Sequence, residues 1–316
     1  MVKAKMKVST RTTVTAALAC LVIALIALIA LIALIALIAL IALAWAAPGC
    51  TEHQRIVVTP AGRRAYMRLL LRHLESQRSS FTEWHLWQNT NNEDDLRWMR
   101  GVAATRPWIR LIDDPDSDPS KGNGNIHIFF KHAADPRSLY LRLDDDVVWL
   151  EPGFIKNMFD FREANPQPFL VYGNIINNPV ITYIHQQRGK SFGSKRCTFT
   201  CFCDVGWKDP LFAEGLHRVF INDVKKGALH TWHFPPVEIS EYARVSINAI
   251  AWFGSDFRFS EDLQHVDEEE WLSSTKPRKE RRPCLINGDA ICAHFSFFTQ
   301  RDHLDATDIL RMYADM

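Results

Sequence analysis

An α/β fold, an open and mostly parallel sheet with helices on both faces, is predicted for most of this 316-residue chain. Three observations predict it. Short runs rich in β-branched and aromatic residues alternate with amphipathic segments in the order β-α-β-α-β-α-β. The four strand-like runs end in polar residues: Thr59, Asn89-Thr90, Asp113-Asp114 and Asp144-Asp145-Asp146. No repeat or linker divides residues 51–316. In open sheets of this kind, ligands bind beyond the carboxyl ends of the strands. Those four ends are therefore where chemistry is sought.

Each element has its own signal. Arg55-Ile-Val-Val-Thr59 is a β-branched run stopped by Pro60 and reads as a buried strand. Ala61 to Ser76 places Tyr66, Leu69, Leu70 and Leu74 at helical spacing. Glu83 to Trp87 alternates and runs into the polar turn Gln88–Asn92. From Asn92 to Ala104, acids lead and Leu96, Met99 and Val102 follow, the pattern of a capped helix. Trp108 to Ile112 is the third strand and Asp113 to Gly124 a Pro/Gly-containing loop. A helix is expected over Asn125–Ala134, then a fourth strand over Ser138–Leu143 with Leu139, Leu141 and Leu143 on one face. Beyond the acidic triplet come a helix (Gly153–Ala164), a strand (Phe169–Gly173), an Asn-rich turn and a Cys/Gly-containing loop. Helices near Phe212–Lys225 and Glu268–Ser273 complete a less regular second half.

Composition is 47% hydrophobic and 23% charged. The hydrophobic share is inflated by residues 14–47, which are uncharged and centred on a Leu-Ile-Ala triplet repeat. As a helix, these 34 residues would span about 51 Å against roughly 30 Å of hydrocarbon. The fifteen Leu and Ile residues between Leu21 and Leu43 favour insertion by roughly 7 kcal/mol. The segment exceeds a signal-peptide core, although Ala44-Trp45-Ala46 offers a cleavage pattern and Ala47-Pro48-Gly49-Cys50 weakly resembles an acylation site. An uncleaved transmembrane anchor is expected over 14–47, after a tail (1–13) and before a short stem (48–54). Lys3, Lys5, Lys7 and Arg11 favour a cytoplasmic N-terminus, so a single-pass type II arrangement with domain 55–316 on the non-cytoplasmic side is expected. That side is a Golgi or ER lumen in a eukaryotic or viral setting, and a periplasm or outer face in a bacterial one. Residues 48–316 carry 33 bases and 36 acids, a charge of −3, which disfavours a nucleic-acid partner. Six of the seven cysteines lie outside the anchor and permit disulfides without specifying pairs. Cys197, Cys201 and Cys203 lack the second CxxC or His set of a zinc site.

The chemistry concentrates in Tyr140-Leu-Arg-Leu-Asp-Asp-Asp-Val-Val-Trp-Leu-Glu-Pro152. Three adjacent carboxylates repel unless neutralised. An extended chain points Asp144 and Asp146 one way and Asp145 the other. Two hard oxygen ligands on one side suit Mn²⁺ or Mg²⁺, which keeps further positions for water and phosphates. A solvated acidic turn is the plain alternative, disfavoured by the triplet's place at a strand's carboxyl end. The pattern over roughly residues 55–180 resembles the nucleotide-sugar half of a GT-A-fold glycosyltransferase, above all glycosyltransferase family 2 and its uncharacterised relatives.

The resemblance implies a Rossmann-type GT-A fold, a nucleotide-sugar donor, and a divalent metal on the acidic motif bridging the donor's diphosphate. It implies metal ligation by Asp144, Asp146 and His294, the last from Gly288-Asp-Ala-Ile-Cys-Ala-His294-Phe-Ser-Phe. Donor contacts are implied at Thr59, Asn89, Asn123, Asn125, Asp144 and Asp145, although asparagines there also serve as turn formers and caps. In Val266-Asp267-Glu268-Glu269-Glu270 it implies a general base, with Asp267 first and Glu268 and Glu269 behind it; Ser260-Glu261-Asp262 is an alternative pair. The same acids suit a helix N-terminus electrostatically. The expected reaction is sugar transfer to a hydroxyl of a carbohydrate, lipid or protein acceptor by single-displacement inversion. A retaining route stays open if the base is absent. Two features depart from the family: no acid follows Thr59, and the Gln-x-x-Arg-Trp of processive synthases is missing. Both disfavour a polysaccharide synthase. The rival readings are a tethered carbohydrate- or cation-binding module without turnover, and a phosphohydrolase drawing further ligands from Asp113-Asp114.

Overall fold

The computed structural model describes Val22 and residues 25–38, 53–257 and 267–316. The chain divides into two compact units, Met1–Glu52 and His53–Met316. In the first, Val22 and residues 25–38 are helical. Among the described residues no helix is long and apolar enough to cross a membrane. This overturns the type II membrane placement expected from residues 14–47. The described stretch 25–38 rises about 21 Å at 1.5 Å per residue, short of roughly 30 Å of hydrocarbon. The tail, Cys50, and the Ser260-Glu261-Asp262 pair lie outside the described residues.

The second unit is built on one nine-stranded sheet. Its strands are β1 (Gln54–Ala61), β2 (Glu83–Gln88), β3 (Ile109–Ile112), β4 (Ser138–Leu143), β5 (Val147–Leu150), β6 (Val171–Ile176), β7 (Val237–Glu238), β8 (Ala249–Phe253) and β9 (Leu285–His294). They lie in the order β3-β2-β1-β4-β8-β6-β9-β5, with β7 added on β9. The half made of β3, β2, β1 and β4 is parallel throughout, as its intervening helices α1 (Arg64–Ser76) and α2 (Glu93–Ala104) require. Beyond β4 the sheet is mixed: β8 runs antiparallel to both β4 and β6, β6 and β9 are parallel, and β5 returns antiparallel to β9.

Pro60 does not end β1. The β4 ladder on β1 stops at Val58, whereas pairing with β2 continues to Ala61, so the missing Pro60 N–H disrupts no bond to β4. In place of the expected helix over Asn125–Ala134, a 3₁₀ stretch spans Pro119–Ala133, kinked at Gly122 with φ +55°. Asp118 caps its start, and the Asn125 Oδ1 accepts the Asp118 N–H at 2.7 Å. Helices α3 (Phe154–Ala164), α4 (Pro179–Gln187) and α5 (Pro210–Lys225) follow. A three-residue turn α6 (Glu268–Glu270) runs through a π turn, Trp271–Thr275, into α7 (Lys276–Glu280), and α8 (Arg301–Asp305) and α9 (Ile309–Ala314) close the chain.

Both faces of the sheet are covered. β9 sends Ile286, Ala290 and Cys292 into one core, with Met67, Leu70, Phe154 and Met158 of α1 and α3. Its Ile291 and Ala293 enter a second, with Phe212, Leu216 and Phe220 of α5 and Ile309 and Tyr313 of α9. This alternation is the period-2 signature of a strand buried on both sides.

Candidate active site

Sheet register brings the acidic triplet to its partners. β4 ends at Leu143, and residues 144–146 form a turn closed by the Val147 N–H donating to the Asp144 carbonyl at 3.0 Å. The alternation expected of an extended chain therefore does not hold. Asp145 and Asp146 share one guanidinium, while Asp144 has other partners.

Leu143 pairs with Ala249, which sets Asn248 beside Asp144. The Asp144 N–H donates to the Asn248 carbonyl at 2.9 Å, and the Asn248 amide donates to Asp144 Oδ2 at 3.1 Å. Arg142 Nε donates to Asp144 Oδ1 at 2.8 Å. That buried guanidinium also donates through Nη1 to Glu268 Oε1 at 2.9 Å. Both oxygens of Asp144 are thus engaged.

Val147 pairs with His294, which sets the imidazole beside Asp146, with Nε2 3.4 Å from Oδ1. The His294 Nδ1 lies 3.2 Å from the Asn177 carbonyl, which can only accept, so Nδ1 carries a proton and Nε2 is the ring nitrogen that faces Asp146. Asp146 Oδ1 is buried without a hydrogen-bond partner. Its Oδ2 meets Arg63 Nη1 at 2.9 Å and Arg301 Nη2 at 3.5 Å. Burial alone would raise this carboxyl, but Arg63, His294 and Arg301 together hold it well below the ordinary carboxylate range. Arg63 also grips Asp145, whose Oδ2 accepts the Gly62 N–H at 3.0 Å. A Cβ on Gly62 would stand 3.1 Å from the Asn89 carbonyl, so this approach favours glycine.

The acids 267–269 divide their roles. Asp267 Oδ1 accepts the backbone N–H groups of Glu269 and Glu270 at 3.1 and 3.2 Å, and Oδ2 takes Arg244 Nη2 at 2.8 Å. Glu269 takes Arg244 Nε at 2.7 Å. Glu268 is different: its Oε2 is buried with no hydrogen-bond partner. Burial pushes its carboxyl up to about 7, with Arg142 opposing the rise.

These groups surround one cleft of about 750 Å³. The triplet, His294 and the acids 267–269 line it, as do Asn89 and Asn123. Thr59 does not; it is buried and its hydroxyl accepts the Trp84 indole N–H at 2.9 Å. Nor does Asn125, whose buried amide donates to Asn89 Oδ1 at 2.8 Å and to Ser117 at 2.7 Å, holding the loop behind the lining. Asp114 is bound by Lys131 and His132 at 2.9 and 2.6 Å and is absent from the lining. The five described cysteines outside the first unit are unbridged. Among the described residues no three His, Cys, Asp or Glu side chains cluster as a metal site. Sequence reasoning missed Arg63, Arg142, Arg301 and Asn248. Arg142 carried a readable signal, a charged residue inside the apolar run Leu141-Arg142-Leu143 next to three acids; Asn248 carried none.

No known family model and no curated protein matches this chain. Among solved structures it is similar to a 4-diphosphocytidyl-2C-methyl-D-erythritol synthase, with 12% identity over 82% of this chain and 99% of that one and a TM-score of 0.43. It is similar also to a CMP:2-keto-3-deoxy-manno-octonic acid synthetase complexed with CTP, with 9% identity, 83% and 99% coverage and a TM-score of 0.44. A galactosyltransferase, LgtC, with donor and acceptor sugar analogues gives 12%, 76% and 73% coverage, and 0.38.

Proposed function

We propose that this chain transfers a sugar from a nucleotide-sugar donor to a hydroxyl acceptor in a single inverting displacement, with Glu268 as general base. One observation carries the reading. A buried carboxylate with an unpartnered oxygen, titrating near neutrality, shares a cleft with an aspartate–histidine pair and two arginines at the carboxyl ends of a parallel half-sheet. A general base works best with a pKa near the operating pH, and Glu268 has been brought there by burial.

In this mechanism the acceptor hydroxyl hydrogen-bonds to Glu268 Oε2 and loses its proton to it. The hydroxyl oxygen attacks the anomeric carbon, the bond from that carbon to the diphosphate oxygen breaks, and a nucleoside diphosphate leaves. Arg142 holds Glu268 by Oε1, leaving Oε2 to the acceptor. Arg63 and Arg301 present guanidinium groups suited to diphosphate oxygens.

The fit of Mn²⁺ or Mg²⁺ rests on Asp146 Oδ1, buried and orphaned, with His294 Nε2 3.4 Å away. Two such atoms side by side call for a cation or a proton between them. Asp146 and His294 would hold the ion, and Asp144 would join them only on leaving Arg142 and Asn248. Two protein ligands suffice for ions of this kind, which keep water and substrate phosphates in their remaining positions. When bound, the ion supplies neutralising charge to the leaving diphosphate.

The test is a screen of nucleotide-sugars with Mn²⁺, measuring nucleotide release, alongside Mn²⁺ binding followed by electron paramagnetic resonance. Donor-specific release that EDTA suppresses is expected, and Asp146→Asn and His294→Ala should each weaken Mn²⁺ binding at least about tenfold. Release from simple phosphoesters but from no nucleotide-sugar would instead mark a phosphohydrolase.

A further inference from the structure

One wall of the cleft is aromatic and exposed. Among the described residues of the His53–Met316 unit, the exposed large hydrophobic side chains are Phe202 (53%), Leu211 (66%) and Phe298 (65%). Two of the three line the cleft, with Trp207 between them. The Trp207 ring centroid lies 5.9 Å from Phe202 and 5.4 Å from Phe298, at interplanar angles of 86° and 79°. Leaving two phenyl rings in water forgoes the burial that most phenylalanines in this molecule obtain. Trp232, Trp252 and Trp271, by contrast, are core residues.

The wall is held in place. Its rings come from two segments, one running from a turn at Phe202 into the π turn Asp204–Lys208 that carries Trp207, the other a turn carrying Phe298. Gln300, fully buried, donates to the Gly206 carbonyl at 3.0 Å and accepts from the Asn177 amide at 3.0 Å. The Thr299 hydroxyl donates to the Trp207 carbonyl. Rings fixed before a ligand arrives bind it with less loss of side-chain freedom.

The wall also adjoins the proposed base. The Arg244 guanidinium stacks 4.6 Å from the Phe202 ring centroid while binding Asp267 and Glu269, the residues on either side of Glu268. Lys208 Nζ stands 5.6 Å from the Trp207 centroid. The surface thus offers ring faces bordered by charged hydrogen-bonding groups. A sugar ring matches both parts, with an apolar face of C–H bonds and hydroxyls at its rim. A hydrocarbon chain would cover the rings but strip water from the charges without replacing it.

We infer that Phe202, Trp207 and Phe298 form the acceptor subsite and that the acceptor is a carbohydrate, its terminal ring stacked on this wall with a hydroxyl toward Glu268. This rests on the transferase reading for its direction and deepens it by naming the acceptor class. The experiment uses the full chain and its Phe202→Ala, Phe298→Ala and Phe298→Tyr variants on an array of defined mono- to tetrasaccharides, with detergent-solubilised farnesyl phosphate as the lipid probe. Hits are quantified by titration calorimetry. Thermal midpoints verify folding, and nucleotide release from donor in water is followed separately. The expected result is a glycan hit weakened about tenfold or more by either alanine, since each ring face is worth on the order of one such factor, with Phe298→Tyr close to the parent. The inference is overturned if no glycan binds, if farnesyl phosphate binds in its place, or if glycan binding ignores both alanines. Glycan binding through the rings with no donor turnover would remove the transferase reading and leave the subsite standing. Turnover onto a glycan that ignores the rings would do the reverse.

Discussion

Asp267 and Glu268 are neighbours in sequence with opposite assignments. Asp267 caps a helical turn and pairs with Arg244, whereas Glu268 is withdrawn from water and keeps one oxygen unpartnered. A base acts in its deprotonated form, so turnover should rise with pH through about 7 and level off above it. Glu268→Gln should lower kcat about 100-fold or more and flatten that rise, with donor KM little changed. An equal or greater loss in Asp267→Asn would return the role to Asp267. The run of acids was legible as a candidate base. Which member keeps an unpartnered oxygen was not, because Arg142 and Arg244 decide it, the first of them 126 residues away from Glu268. The aspartate triplet was legible for the same reason and to the same depth. Its turn geometry escaped the sequence because the strand ends one residue before the acids.

At the scale of elements, β9 shows how backbone contact sets a strand's course. Its ladder with β6 shifts register between Tyr172 and Asn174, and the Asn174 amide fills the gap by donating to the carbonyls of Trp232 and Gly288 at 2.8 and 3.0 Å. A Cβ on Gly288 would fall 1.9 Å from the Phe234 carbonyl oxygen. Gly288→Ala should therefore destabilise the fold by about 2–3 kcal/mol, read from chemical denaturation. Gly101, inside α2 with nothing within 4 Å of its missing Cβ, is the control. Gly101→Ala should stabilise by roughly 0.5–1 kcal/mol, since it only restrains the unfolded chain and improves helix propensity. If Gly288→Ala proves neutral, the packing of β9 against the Phe234 segment is wrong. The strands of the parallel half and helices α1 and α2 were readable because each carries its own hydrophobic period. β5 and β8 were missed, being short apolar runs whose strand character comes from long-range pairing.

Across the whole molecule, the cysteines bear on the disulfides that their number permits. Cys197, Cys201, Cys203, Cys284 and Cys292 are unbridged and each is at most 4% exposed. Native protein should leave these five unmodified by iodoacetamide, and all five should react in guanidinium, as peptide mass mapping would reveal. Labelling of any of them without denaturant would contradict this packing. Spacing could not have settled the matter, since it is three-dimensional proximity that determines which thiols meet. The site itself is a long-range construction. Arg63 lies near the start of the second unit, the carboxylates in its middle, and His294 and Arg301 near its end. During synthesis on the ribosome, three adjacent carboxylates leave the exit tunnel about 150 residues ahead of their imidazole. A growing chain therefore holds the three acids before their imidazole exists, and a product halted before His294 would carry them without that partner.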